Sequence, residues 1–191
     1  MTRTASALRA FALAAVLALP VATTASAKDI AGGVSISQAP VSDSVLYPTV
    51  DGEVAKLRPD GTAAAPALAP DAVKKAIWAA NKLIGKPYRY GGGHRRFNDT
   101  GYDCSGTVSF ALKGGSLIKT PLDSSSFMTW EEAGEGEWIT VYANPGHAFA
   151  VIAGLRLDTS ASGDPSGNKG PRWRPALRTT KGFTATHPEG F

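Results

Sequence analysis

The chain contains one cysteine among its 191 residues, Cys104, in the run GYDCSG at residues 101–106. A helix-like stretch at 107–113 follows, which predicts that the thiol stands at a helix N-terminus. The helix dipole and the free backbone N–H groups at such a position favour thiolate over thiol. Because one cysteine forms no internal disulfide, Cys104 is either a small buried hydrophobe or a nucleophile.

A thiolate nucleophile needs a base within hydrogen-bond reach, and the base needs a partner that orients it. Of the three histidines, His147 is the best placed, because it follows an Asn-Pro-Gly turn and opens the β-prone run 148–153. The sheet would fix its backbone while its ring faces a cleft. His94 lies in a glycine-rich loop, where we expect it to touch solvent or substrate. His187, near the C-terminus, is expected on the surface.

The helices that would position the nucleophile are predicted from Asp71 onward, with Asp71 as the first N-cap. Apolar residues then recur at helical spacing until Gly85 ends the helix. They are Val73, Ile77, Ala80 and Ile84. The second predicted helix begins at Cys104 and ends at Lys113, and a short third one covers residues 124–132.

The strands that would carry the base follow the helices. The β-prone runs are 138–142, 147–153, 155–158 and 183–186, with a polar loop at 159–170. Helices followed by an antiparallel sheet indicate an α+β domain, which we place at residues 71–191.

The sequence of the N-terminal region is typical of a targeting segment. Arg3 and Arg9 precede a short apolar run, and the small-residue pattern at 25–27 is typical of signal-peptide cleavage. We therefore predict a signal peptide at 1–27, secretion by the general route, and no membrane span. Residues 28–70, rich in Ala and Pro, are predicted to form a linker or leader, with a weak hairpin signal around Asp51 and Gly52.

Charge and motif content exclude several classes of function. The formal net charge is +4, of which Arg3 and Arg9 supply two, so the mature chain would carry +2. That charge is too mild to indicate nucleic-acid binding. No metal-ligand spacing or phosphate-binding loop is present, so we expect no metal and no cofactor. We expect a monomer. Trp173, between Arg172 and Arg174, would either hold an anionic ligand or lie on the surface, covered by arginine stems.

Three segments in order resemble the NlpC family of bacterial cell-wall cysteine peptidases, over roughly residues 72–160. They are KPYRYGG at 86–92, YDCSG at 102–106, and Gly146-His147 with the strand that follows. The resemblance implies a compact papain-like fold, in which a helix bearing the nucleophile packs against a small antiparallel sheet bearing the histidine.

The resemblance also implies a role for each matching residue. Cys104 would be the nucleophile, and His147 the general base and then the general acid. The hydroxyl of Tyr88 would line the oxyanion hole with the backbone N–H of Cys104. Asp158 matches the third, polar residue, where the family commonly has histidine, and His187 is the rival for that role.

Ser105 and Gly146, which adjoin the two catalytic positions, are predicted to contact substrate. The resulting hypothesis is a secreted peptidoglycan hydrolase with peptidoglycan or muropeptides as its substrate. It would cut the amide after D-glutamate in stem peptides through an acyl-enzyme on Cys104. The alternatives are an amidase or acyl transferase acting on another amide with the same chemistry, and a non-catalytic secreted wall-binding module. An unreactive Cys104 would favour the last.

Overall fold

The structure, a computed structural model, describes residues 47–191. The predicted signal peptide and residues 28–46 of the predicted leader lie outside the described residues. The described chain is α+β, as predicted, with three short strands, three helices and then six strands. The helices are α1 (Asp71–Asn81), α2 (Cys104–Gly114) and α3 (Ser124–Phe127).

Residues 47–70 fold as part of the domain rather than as a linker. Strands β1 (Thr49–Val50) and β2 (Lys56–Leu57) both pair with β3 (Ala63–Pro66), so the hairpin expected around Asp51 does not form. The alanines of β3 are buried and share one core with the helices and the main sheet. Their small side chains let β3 lie close against α1, which explains an Ala- and Pro-rich composition in an ordered segment.

Helix α1 buries Val73, Ile77 and Ala80 of the predicted apolar stripe, but it ends at Asn81, so that the partly buried Ile84 lies beyond it. The helix also begins differently from the prediction. Its N-cap residue is Pro70, and no side chain caps it. Asp71 lies instead in the first turn, where its carboxylate is 3.7 Å from the amine of Lys74. A carboxylate there still faces the positive end of the helix dipole. The third helix is also shorter than predicted.

The main sheet has six antiparallel strands in the order β4-β9-β5-β6-β7-β8. Its strands are β4 (Glu132–Ala133), β5 (Ile139–Asn144), β6 (His147–Ile152), β7 (Leu155–Asp158), β8 (Arg172–Arg174) and β9 (Thr184–His187). Helix α2 packs against α1 on one side and against β6 on the other. The start of α2 and the start of β6 are thereby brought to the same cleft.

Strand β8 was not predicted, and it assigns Trp173 to the core. The ring is 4% exposed and its indole N–H donates to Oδ1 of Asn81 at 2.8 Å. Trp173 therefore neither lies on the surface nor is placed to hold an anionic ligand. Arg174 is fully buried and donates to the carboxylate of Asp164, which fixes the 159–170 loop from within.

Candidate active site

Cys104 is the first residue of α2, at the bottom of an open cleft of about 390 Å³. The N-cap is Asp103, whose carboxylate accepts the backbone N–H of Gly106 at 2.8 Å. Gly106 has no room for a side chain, because a Cβ there would collide with the carbonyl oxygen of Gly92. The glycine-rich loop can therefore lie directly against the first turn of the helix. This contact explains why a glycine stands two residues after the cysteine.

His147 begins β6, immediately after the Pro145-Gly146 turn of the β5–β6 hairpin. The Cys104 thiol lies beside the His147 ring and the backbone N–H of Ala148. Nε2 of His147 lies 2.9 Å from Oδ1 of Asp158. This leaves Nδ1 as the ring nitrogen available to the thiol, because each imidazole nitrogen serves one partner.

Asp158 ends β7, the strand next to β6, and its side chain is fully buried. Besides the His147 contact, Oδ1 accepts the backbone N–H of Ser160 at 2.8 Å. His187, the rival for the third position, lies on β9 and is engaged elsewhere. Its Nε2 is 3.0 Å from Glu132, and its Nδ1 is 3.1 Å from the carbonyl oxygen of Gly134. The geometry therefore brings Asp158, and not His187, to His147.

The charges of the three side chains support one another. Burial acts to raise the pKa of Cys104, but hydrogen bonds from His147 and from the N–H of Ala148 outweigh it and hold that pKa below its ordinary value. Burial acts to lower the pKa of His147, yet its bonds to Asp158 and Cys104 raise it to about 9. Burial acts to raise the pKa of Asp158, but its contacts with His147, the backbone N–H of Ser160 and Arg178 together hold that pKa below its ordinary value. This arrangement favours a thiolate–imidazolium pair near neutral pH.

Tyr88 lies on the boundary between two neighbouring clefts, one lined by Cys104 and the other by His147. The side chain is about half exposed, and a backbone bridge to Tyr102 fixes its position. Burial, followed by the nearby charge of Cys104, raises the pKa of its phenol. A phenol that keeps its proton beside the nucleophile is suited to donate to an oxyanion.

Ser105 and Gly146 both line the Cys104 cleft. Ser105 is almost completely buried, and its hydroxyl lies 3.3 Å from Nε2 of His94. That same nitrogen is 2.9 Å from Oδ1 of Asp103. In a Ser–His–Asp triad, the hydroxyl and the carboxylate contact different nitrogens of the imidazole. Here both contact Nε2 of His94, so Ser105, His94 and Asp103 do not form a second triad. It ties the 91–94 loop to the N-cap of α2.

The sequence analysis did not find the cation environment of Asp158. Nη1 of Arg178 lies 3.2 Å from Oδ2 of Asp158, and Nε of the fully buried Arg156 lies 3.7 Å from the same oxygen. Arginines are rarely buried, and Arg178 is 20 positions from Asp158, so no local pattern in the sequence pointed to this cluster.

No group of three or more metal-ligating side chains occurs in the described part of the chain. Within residues 47–191, no helix is long and apolar enough to cross a membrane. Comparisons with known proteins find no family model and no curated protein that matches this chain. The motif pattern and the geometry of Cys104, His147 and Asp158 are therefore what point to a function.

Proposed function

We propose that this protein is a secreted cysteine hydrolase of papain-like, NlpC-type architecture that cuts amide bonds in the stem peptides of peptidoglycan. The observation that carries the proposal is the placement of Cys104, first residue of α2, beside His147, whose Nε2 contacts the buried carboxylate of Asp158. A thiolate at a helix N-terminus, a base and an orienting carboxylate are the parts that acyl transfer requires. The motif resemblance supplies the substrate class.

In the proposed reaction the Cys104 thiolate attacks the carbonyl carbon of the scissile amide. The Tyr88 hydroxyl and the Cys104 backbone N–H donate to the oxyanion that forms. The His147 imidazolium gives its proton to the leaving amine as the C–N bond breaks, which leaves a thioester on Cys104. Water then attacks the thioester while His147 takes its proton, and the acid is released with the thiolate restored.

The walls of the cleft support a polar substrate. Asp103 and Asp123 line the cleft, together with the small hydroxyl side chains of Ser124 and Ser125. The bond that we propose is the amide after D-glutamate in the stem peptide, which is the bond that the motif resemblance implies.

The test is digestion of purified peptidoglycan, with released fragments identified by mass spectrometry. The wild-type protein should release peptides that begin at the residue after D-glutamate and leave stems that end in D-glutamate on the glycan strands, and Cys104→Ala, as the matched control, should release none. Fragments cut at another amide would assign the amidase alternative. Substantial digestion by Cys104→Ala would contradict the cysteine mechanism. An intact wall, together with a Cys104 that does not react with iodoacetamide, would favour a binding module.

A further inference from the structure

Arg178 lies in the segment between β8 and β9, residues 175–183, to which the mechanism above assigns no part. Its neighbours in this segment are mostly exposed, yet the Arg178 side chain is only 15% exposed. Nη1 donates to Oδ2 of Asp158 at 3.2 Å. One side chain of a surface segment therefore reaches the buried carboxylate that holds His147.

Two phenylalanine rings hold the guanidinium in place. Its central carbon lies 5.2 Å from the ring centroid of Phe149 and 5.3 Å from that of Phe183. The same two rings flank the imidazole of His147, at centroid distances of 6.4 and 6.2 Å. Since a guanidinium over aromatic rings is attracted to their faces, Arg178 and His147 share one aromatic support.

The two oxygens of Asp158 are divided between different partners. Oδ1 accepts from His147 and from the backbone of Ser160, while Oδ2 accepts from Arg178. A competing cation is close by, because Nε of Arg156 is 3.7 Å from Oδ2. Nε and Nη1 of Arg156 are buried and lack a hydrogen-bond partner among the described residues. Unpaired buried donors of this kind attract any carboxylate that is free to turn.

We propose that Arg178 is a positioning residue, which holds Asp158 turned toward His147 and away from Arg156. Without it, the carboxylate would rotate toward the unpaired donors of Arg156, and the His147 ring would lose its orientation. The 175–183 segment therefore contributes, through Arg178, to the activation of Cys104. This inference rests on the Cys104–His147–Asp158 mechanism of the proposed function.

The experiment measures the rate constant for alkylation of Cys104 by iodoacetamide as a function of pH. Cys104 is the only cysteine, so the label reports on the nucleophile without any wall substrate. The variants are Arg178→Met, which keeps the stem against the two rings, Asp158→Asn, and the double variant. Lys181→Gln is the matched control, because it removes an exposed cation of the same segment.

At pH 7 we expect Arg178→Met to react about tenfold more slowly than wild type, which corresponds to about one unit in the pKa of the thiol. The double variant should match Asp158→Asn within about twofold, since residues that act through one another are not additive. Arg178→Lys should lie between wild type and Arg178→Met, and Lys181→Gln should react like wild type.

Two results would overturn the proposal: an unchanged rate in Arg178→Met, or an effect of Arg178→Met that persists in full in the Asp158→Asn background. A role of Arg178 that is independent of Asp158, through its contacts with Phe149 and Phe183 alone, would give the second result. If Arg178→Met does not fold, Arg178→Lys in the same two backgrounds completes the comparison. Failure of the wild type to digest peptidoglycan would contradict the proposed function alone, because the alkylation result does not depend on it.

Discussion

The two nitrogens of the His147 ring have different partners, which explains how an aspartate at position 158 can serve as the third catalytic residue. Oδ1 of Asp158 accepts from Nε2, so the neutral ring keeps its proton there and offers Nδ1 to the thiol. A carboxylate also stabilises the imidazolium that forms when Cys104 loses its proton. A histidine at this position would orient the ring but would not supply a full negative charge.

Asp158→Asn tests this role at the level of one functional group. The amide can still accept from Nε2, but it carries no charge and also presents a donor, so ring orientation and imidazolium stability both suffer. We expect kcat to fall by about 10²-fold or more, with a smaller change in KM. The measurement is steady-state hydrolysis of a purified muropeptide. His187→Ala should keep the wild-type rate, and the opposite pattern would assign the third position to His187.

Cys104 and His147 set the pH range of activity. As pH rises, kcat/KM should increase while Cys104 ionises, at a pH below that of an ordinary thiol, because its pKa is lowered. It should decrease again near pH 9, where the His147 imidazolium loses its proton. In Asp158→Asn the alkaline limb should move to lower pH, because the negative charge that raises the pKa of His147 is gone. A limb that stays in place would show that another group controls it.

At the scale of elements, the start of α2 is the part of the site that sequence predicts best. A capping aspartate, a cysteine and two small residues are local signals, and their geometry depends on few other segments. The ordered β3 strand was missed for the opposite reason. Alanine and proline are common in linkers, and only the presence of α1 makes Ala63 and Ala65 core residues.

Gly106→Ala tests the close approach of loop and helix. The added Cβ would collide with the carbonyl oxygen of Gly92 and lie 3.1 Å from the capping carboxylate of Asp103. We expect a loss of about 1–3 kcal/mol in the free energy of unfolding, as for other overpacked sites. Thermal denaturation followed by circular dichroism should show a lower Tm, by about 2–4 °C per kcal/mol.

Gly146→Ala is the control for this change, since the nearest atom to its Cβ would be Oδ1 of Asn144 at 3.8 Å. Its Tm should stay close to that of the wild type. Equal values of Tm for Gly106→Ala and the wild type would mean that the loop moves away from the helix at no cost.

On the scale of the whole molecule, Asn81 joins three parts of the chain that are distant in sequence. From the end of α1, its Oδ1 accepts the backbone N–H of Ala63 and the indole N–H of Trp173, both at 2.8 Å. Its Nδ2 donates to the carbonyl oxygen of Ala63 at 2.9 Å. The N-terminal sheet, the first helix and the last part of the main sheet are thus held by one side chain. No local pattern in the sequence indicates that Asn81 has this role, because its partners are 18 and 92 positions away.

Asn81→Ala should therefore destabilise the fold far more than its partial exposure would suggest. It leaves the N–H and C=O of Ala63 and the indole N–H of Trp173 without their partner, in surroundings where Ala63 is fully buried and Trp173 is 4% exposed. Each buried polar group left unpaired costs about 1–3 kcal/mol, so we expect a total loss of at least about 2 kcal/mol in urea denaturation. Asn98→Ala, at an exposed loop position, should change the free energy of unfolding by less than about 0.5 kcal/mol. Equal stability of the two variants would show that water replaces the three bonds, and that residues 47–70 are held to the domain by apolar packing alone.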